Sequence, residues 1–243
     1  TSETACMEKG ELPSISELLF EKTQKHYRDN YIHQKTLGGG GTAFLVGKNY
    51  MLTAAHNLRK NGQDKPLENL RFIFGFQIDE DEKTPILEAE KSYEAESVQF
   101  GKGLQDDWAL VKLKKVVKGR SPLKLSNTVG QPGQKGLYLI GHPLGLPMKI
   151  CLVGGFVHPL NSSSFLVSHD AYMGNSGSPV LNMQGEVEGI LVAGSHDFEV
   201  DGDSIFPRKY SYRMIVDGHA GERCQNISSI RPHLPESILK SNF

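Results

Sequence analysis

Cysteine is scarce in this chain. Cys6, Cys151 and Cys224 are its only three, so at most one internal disulfide can form, and a covalently stapled secreted scaffold is excluded. The 243 residues do not need such staples, because a chain of this length buries enough apolar surface to fold without them. An excess of one charge is also lacking. Lys and Arg number 27 against 28 Asp and Glu, for a net charge of −1, which leaves no global field to draw nucleic acid or an anionic membrane. No apolar run approaches the ~20 residues of a membrane-spanning helix, and the first thirty residues carry no signal-peptide pattern. The sequence therefore predicts neither a nucleic-acid partner nor a membrane span. Its cysteine usage suits a bacterial extracytoplasmic protein as well as a cytosolic one, and the expectation adopted is extracytoplasmic or secreted.

Long helical periodicity is missing as well. The 26 glycines and 12 prolines cut the chain into short segments. Ser14 and Glu17 have the capping-box spacing ahead of Leu18, Leu19 and Phe20, which predicts a short helix over about 14 to 28. After the glycine run at 38–41 the pattern turns to strands. Residues 42–47 and 50–53 read as a hairpin, and further short β-rich runs fall at 70–77, 97–100, 108–113, 136–141, 150–157, 165–168, 179–181, 187–192 and 210–216. Short strands spaced by turns argue for antiparallel barrels or sandwiches rather than βαβ units. The polar stretch 114–129 is the best linker candidate, and Pro235 opens a terminal helix. The expected organisation is an N-terminal helical extension over 1–35, a first barrel over 36–120, and a second barrel with its C-terminal helix over 121–243.

Three segments carry chemistry: Leu52-Thr53-Ala54-Ala55-His56, Asp106-Asp107-Trp108-Ala109-Leu110, and Gly174-Asn175-Ser176-Gly177-Ser178-Pro179. A serine hydroxyl is a poor nucleophile at neutral pH. It needs an imidazole to take its proton and a carboxylate to hold that imidazole in one tautomer. Alone, the first segment is equally well a strand ending in a surface histidine, and the third is a turn. Together and in this order, over roughly residues 36 to 220, they resemble the His, Asp and Ser motifs of trypsin-like serine peptidases. The third is similar to the bacterial V8-like, glutamyl-endopeptidase branch. An α/β-hydrolase has Gly-x-Ser-x-Gly and the order Ser, acid, His. Here Ser178 stands two residues after Ser176 and His56 comes first, so that rival fails.

The resemblance implies two packed six-stranded antiparallel β-barrels, an all-β fold with His56, Asp107 and Ser176 as catalytic triad and no cofactor or metal. Of the two neighbouring carboxylates, Asp107 is in phase with the family's Asp-x-Ala-Leu, and strand alternation sends Asp106 to the other face. Gly174 leaves its own N–H and that of Ser176 free to point at one oxyanion. The substrate would be protein or peptide, and the pocket positions are Asp170, Ala171, Leu191, Val192 and Arg208. Asp170 unpaired would favour Lys or Arg before the cut. Paired with Arg208 it would favour a medium apolar residue. Asn175 is neutral, so it cannot hold a buried N-terminal ammonium as trypsin's activation switch requires. The acidic stretch 197–203 echoes a calcium loop poorly, with Glu199 and Arg208 at the wrong places, and 79–82 reads as a solvated loop tip. The rival functions are a catalytically silent binding module of the same fold and an enzyme held inactive by its N-terminal segment. The sequence leaves the oligomeric state open.

Overall fold

The apolar runs Trp108–Leu113 and Pro179–Leu181 read as strands, and both are strands with those bounds in the computed structural model. It describes residues 26–28, 36–37, 40–78, 91–103, 105–127, 136–152, 154–194, 198–200, 209–212 and 221–240. The strands are β1 His26–Arg28, β2 Ala43–Gly47, β3 Tyr50–Ala54, β4 Arg59–Lys60, β5 Gln63–Asp64, β6 Arg71–Ile73, β7 Ser92–Phe100, β8 Trp108–Leu113 and β9 Lys124–Leu125. The second half supplies β10 Tyr138–Gly141, β11 Lys149–Cys151, β12 Phe156–Pro159, β13 Ser164–Val167, β14 Pro179–Leu181, β15 Glu186–Ala193, β16 Phe198–Val200, β17 Lys209–Tyr212 and β18 Glu222–Asn226. Two main sheets result, ordered β2-β3-β8-β7-β6 and β11-β10-β14-β15-β18-β13-β12, with β9 added to β15.

The central strands β2, β3, β8 and β15 bury both faces, and the two-residue period of a strand decides which residue goes where. Ala43 and Leu45 of β2, Met51 of β3, and Ala109, Val111 and Leu113 of β8 fill the interior of the first barrel. Their neighbours Phe44, Val46, Leu52, Ala54, Trp108 and Leu110 point the other way. They meet Val187, Ile190 and Val192 of β15 and Ile227, Ile230 and Ile238 of the terminal helices in one shared core. The second barrel has its own interior of Leu139, Phe165, Val180, Leu191 and Cys224. The shared core joins the two halves.

Three sequence expectations change. Of the helix expected over 14 to 28, residues 14–25 lie outside the described residues, while His26–Arg28 is a strand paired in parallel with β17, so sheet pairing overrides local helix propensity there. The run 150–157 is two strands, β11 and β12, parted at the glycines Gly154 and Gly155. The linker candidate 114–129 contains β9, whose Leu125 is buried and which runs parallel to β15. At the C-terminus Glu236–Lys240 is helical as expected. It is preceded by a helix, Ile227–Ile230, whose first turn is capped by Asn226 accepting from the Ser228 N–H.

Two histidines of the second half are withdrawn from water, His169 buried and His142 half-buried. Burial pushes His142 down to about 4 against the opposing pull of the Leu146 carbonyl at its Nδ1, and burial also lowers His169. A group whose folded pKa is depressed leaves the unfolded chain holding more protons between the two values. Stability should therefore fall as pH drops from 6.5 toward 4. The urea midpoint of wild type is expected to fall across that window, and His142→Gln should fall less. Parallel slopes would show that His142 does not contribute. The shared core makes a second prediction, read out by Trp108, the chain's only tryptophan. Ile190→Ala in the second half should cost about 3 kcal/mol and shift the Trp108 fluorescence transition of the first half. An unmoved Trp108 transition would mean that the halves unfold independently.

Candidate active site

Strand register brings the histidine and the aspartate together. Antiparallel pairing sets Ala54 opposite Trp108 and Thr53 opposite Ala109, so the residues just beyond β3 lie beside those just before β8. Ala55 N–H donates to the Asp107 carbonyl at 3.1 Å, and the chain then enters the 3-10 turn Ala55–Leu58 carrying His56. Both oxygens of the Asp107 carboxylate serve this histidine. Oδ2 lies 2.7 Å from His56 Nδ1, and Oδ1 accepts the His56 backbone N–H at 2.9 Å. Orientation and ring position are thus fixed by one side chain. The His56 side chain remains 46% exposed and Asp107 22%, so the imidazole is open to the cleft. Asp106 instead accepts the N–H of Gly103 at 2.8 Å and closes the preceding turn. The choice between neighbouring carboxylates falls to Asp107.

Ser176 lies on the loop that enters β14, and two residues absent from the sequence motifs, Thr42 and Asn57, hold that loop to the first barrel. Its carbonyl accepts the Thr42 N–H at 2.8 Å and Asn57 Nδ2 at 2.7 Å. Thr42 Oγ1 donates to the Gly174 carbonyl and accepts the His142 N–H, each at 3.0 Å. On the aspartate side, Gln225 Oε1 of β18 accepts the Asp107 N–H at 3.3 Å. Contacts of this length between distant segments leave no signature in a single sequence. Asn57 alone had a local clue, its place directly after His56. The hydrogen bonds of the His56 ring go to Asp107, and none among the described residues links it to Ser176.

The turn before Ser176 depends on Gly174. Its φ is +97°, and a Cβ there would come within 2.7 Å of the His142 carbonyl and the Leu144 nitrogen, a conformation and a fit that only glycine allows. Asn175 N–H donates to Tyr172 and Gly177 N–H to Leu191, at 2.9 and 2.7 Å, while no described hydrogen bond uses the N–H of Gly174 or Ser176. Two donors on alternate residues are left available on one loop.

The pocket positions are less uniform. Ala171 and Leu191 are buried together in the second barrel's interior, and Val192 is buried in the shared core, so Val192 offers a pocket its backbone rather than its side chain. Asp170 is exposed. Arg208 and the acidic stretch 79–82 lie outside the described residues, as do the side chains of 197–203.

The family model described as trypsin-like peptidase domain matches residues 41–190, a span that holds His56, Asp107 and Ser176. No curated protein matches in sequence. Among solved structures, the chain is similar to the active form of the Rv3671c protease from M. tuberculosis, with a TM-score of 0.51 and 14% identity, covering 79% of this chain and 70% of that one. It is also similar to kallikrein-related peptidase 10 complexed with Zn2+, with a TM-score of 0.51 and 15% identity, covering 82% of this chain and 89% of that one. At such identity these two likenesses speak for the fold, whereas the family match covers well over half of the chain. The chain belongs to the family of trypsin-like peptidase domains.

Proposed function

We propose that the protein is a serine endopeptidase that cleaves protein or peptide substrates through an acyl-enzyme on Ser176. The observation that carries this reading is the double contact of Asp107 with His56, at 2.7 and 2.9 Å. A carboxylate at Nδ1 holds the proton on that nitrogen and leaves Nε2 as the base. His56 Nε2 then takes the Ser176 hydroxyl proton as Oγ bonds to the scissile carbonyl carbon. The carbonyl electron pair moves to oxygen, and the oxyanion is met by the N–H groups of Gly174 and Ser176. Collapse of this intermediate breaks the C–N bond, with His56 Nε2–H protonating the leaving amine. Water then repeats the sequence and frees the acid.

Hydrogen bonds at catalytic sites are often long before substrate binds, which accommodates the missing Ser176–His56 link. That missing link is also the one observation on the side of the alternative, a catalytically silent binding module of the same fold. Asn175 carries no charge for a buried ammonium, and the Thr42 and Asn57 contacts supply the ordering that such a pair would give the serine loop. The finer placement near the glutamyl-endopeptidase branch rests on the Gly-Asn-Ser-Gly-Ser-Pro motif alone.

An organofluorophosphonate should label the folded protein on Ser176, and Ser176→Ala should abolish the label. Absence of labelling from freshly folded wild type would favour the silent module. Asp107→Asn keeps the shape but presents the wrong hydrogen-bond partner to Nδ1, so kcat should fall on the order of 10⁴-fold with KM nearly unchanged. A fall below about tenfold would remove Asp107 from the triad.

A further inference from the structure

Charge is segregated along this chain. From Trp108 to His169 the sequence holds no aspartate or glutamate, while Lys112, Lys114, Lys115, Lys118, Arg120 and Lys124 crowd into the first part of that span. The net charge of −1 therefore hides a stretch of one sign. A surface kept soluble by its charges normally mixes both signs, because like charges side by side repel.

The fold pins this stretch as a strap along β2, between the end of β8 and β9. Leu113 N–H donates to the Asn49 carbonyl, Val117 N–H to the Lys48 carbonyl and Leu123 N–H to the Leu45 carbonyl, each at 2.8 Å. Val117 is buried in the interior of the first barrel and Leu125 in the shared core. The backbone of the strap is thus held at both ends and in the middle, while Lys114, Lys115, Lys118 and Arg120 are exposed. The Val117 bond sets Lys48, exposed on the turn between β2 and β3, beside them.

Some of these charges are already answered. Lys112 pairs with Glu96 and Lys114 with Glu94, both at 2.7 Å, and Glu94 is shared with Arg71 at 2.9 Å. Lys124 stands opposite Glu186 in the parallel register of β9 on β15. Arg120 lies over the Phe74 ring, 5.5 Å from its centroid. The side chains of Lys48, Lys115 and Lys118 engage no hydrogen bond or ion pair among the described residues.

We propose that Lys48, Lys115, Lys118 and Arg120 form a docking surface for an acidic polypeptide segment. Cations carried on a pinned backbone, with no free anion among them, complement a short run of carboxylates. Other polyanions fit less well. Single-stranded nucleic acid stacks its bases on aromatic side chains, and residues 114–124 include none. The near-zero net charge gives a long phosphate backbone no extended field to follow. Val116 is the one exposed large apolar side chain of the strap, too little to enter a bilayer. The surface is also separate from the cleft, since β8 runs from Trp108 beside Asp107 to Leu113, about 17 Å of strand. An acidic chain on the strap leaves the cleft open.

The test follows the fluorescence anisotropy of a labelled oligoglutamate peptide titrated with the full chain carrying Ser176→Ala, so that binding is read without cleavage and independently of the peptidase reading. Saturable binding is expected, weakened at least about tenfold when NaCl is raised from about 0.05 M to about 0.3 M. Lys48→Ala, Lys115→Ala and Lys118→Ala together should weaken it at least about tenfold, and Arg at the same three positions should hold it within about threefold. Lys60→Ala with Lys102→Ala, two exposed lysines elsewhere, should leave it within about twofold. Absence of saturable binding, equal weakening by the Lys60 and Lys102 changes, or tighter binding of a DNA duplex or of phosphatidylserine vesicles would overturn the proposal.

Discussion

The antiparallel register of β3 on β8 is the constraint on which the rest of the site depends. Setting Ala54 opposite Trp108 brings the end of one strand beside the start of the other, so His56 meets Asp107 although 51 residues separate them. The same register sends Leu52, Trp108 and Leu110 outward to the shared core and Met51, Ala109 and Val111 inward. A slip of one residue would exchange the two sets and bury the wrong face of every side chain. The His56–Asp107 geometry and the core packing are therefore specified by one set of strand contacts. The pairing of His56 with Asp107 is held in place by the hydrophobic burial around it rather than by their own hydrogen bond, which is partly exposed to water.

The serine reaches this pair from the other half of the chain, which demands a second set of constraints. The shared core supplies the bulk of the attachment, with Ile190 and Val192 of β15 packed on Leu52 and Trp108. It is non-directional, so it brings the halves together without fixing an atom to a fraction of an ångström. The directional part comes from hydrogen bonds: Thr42 and Asn57 of the first half grip the carbonyls of Gly174 and Ser176, and Gln225 of the second holds the Asp107 N–H. Each half thus orients the other's functional segment. Gly174 completes the loop by adopting a backbone conformation that leaves alternate N–H groups unspent.

Sequence patterns reveal this organisation unevenly, for physical reasons. Strands with strong β-branched or aromatic runs, such as Trp108–Leu113, were legible to the residue, because their pattern reports burial on both faces. His56, Asp107 and Ser176 were legible because they sit in compact local motifs, and the structure brings the first two into contact. What sequence could not show was pairing across distance. The parallel partnership of His26–Arg28 with β17, the strand within the polar stretch 114–129, and the roles of Thr42, Asn57 and Gln225 all arise from segments far apart in the chain.

The central claim is that Ser176 forms a covalent acyl intermediate. It is tested most directly by mixing the folded protein with a slowly deacylating ester, quenching in acid, and locating the added mass by peptide mass spectrometry. The account predicts a single acyl group on the peptide containing Ser176, at close to one equivalent, and none when His56 is replaced by alanine. Ester turnover with no acyl group on that peptide, or an acyl group on a different residue, would contradict it.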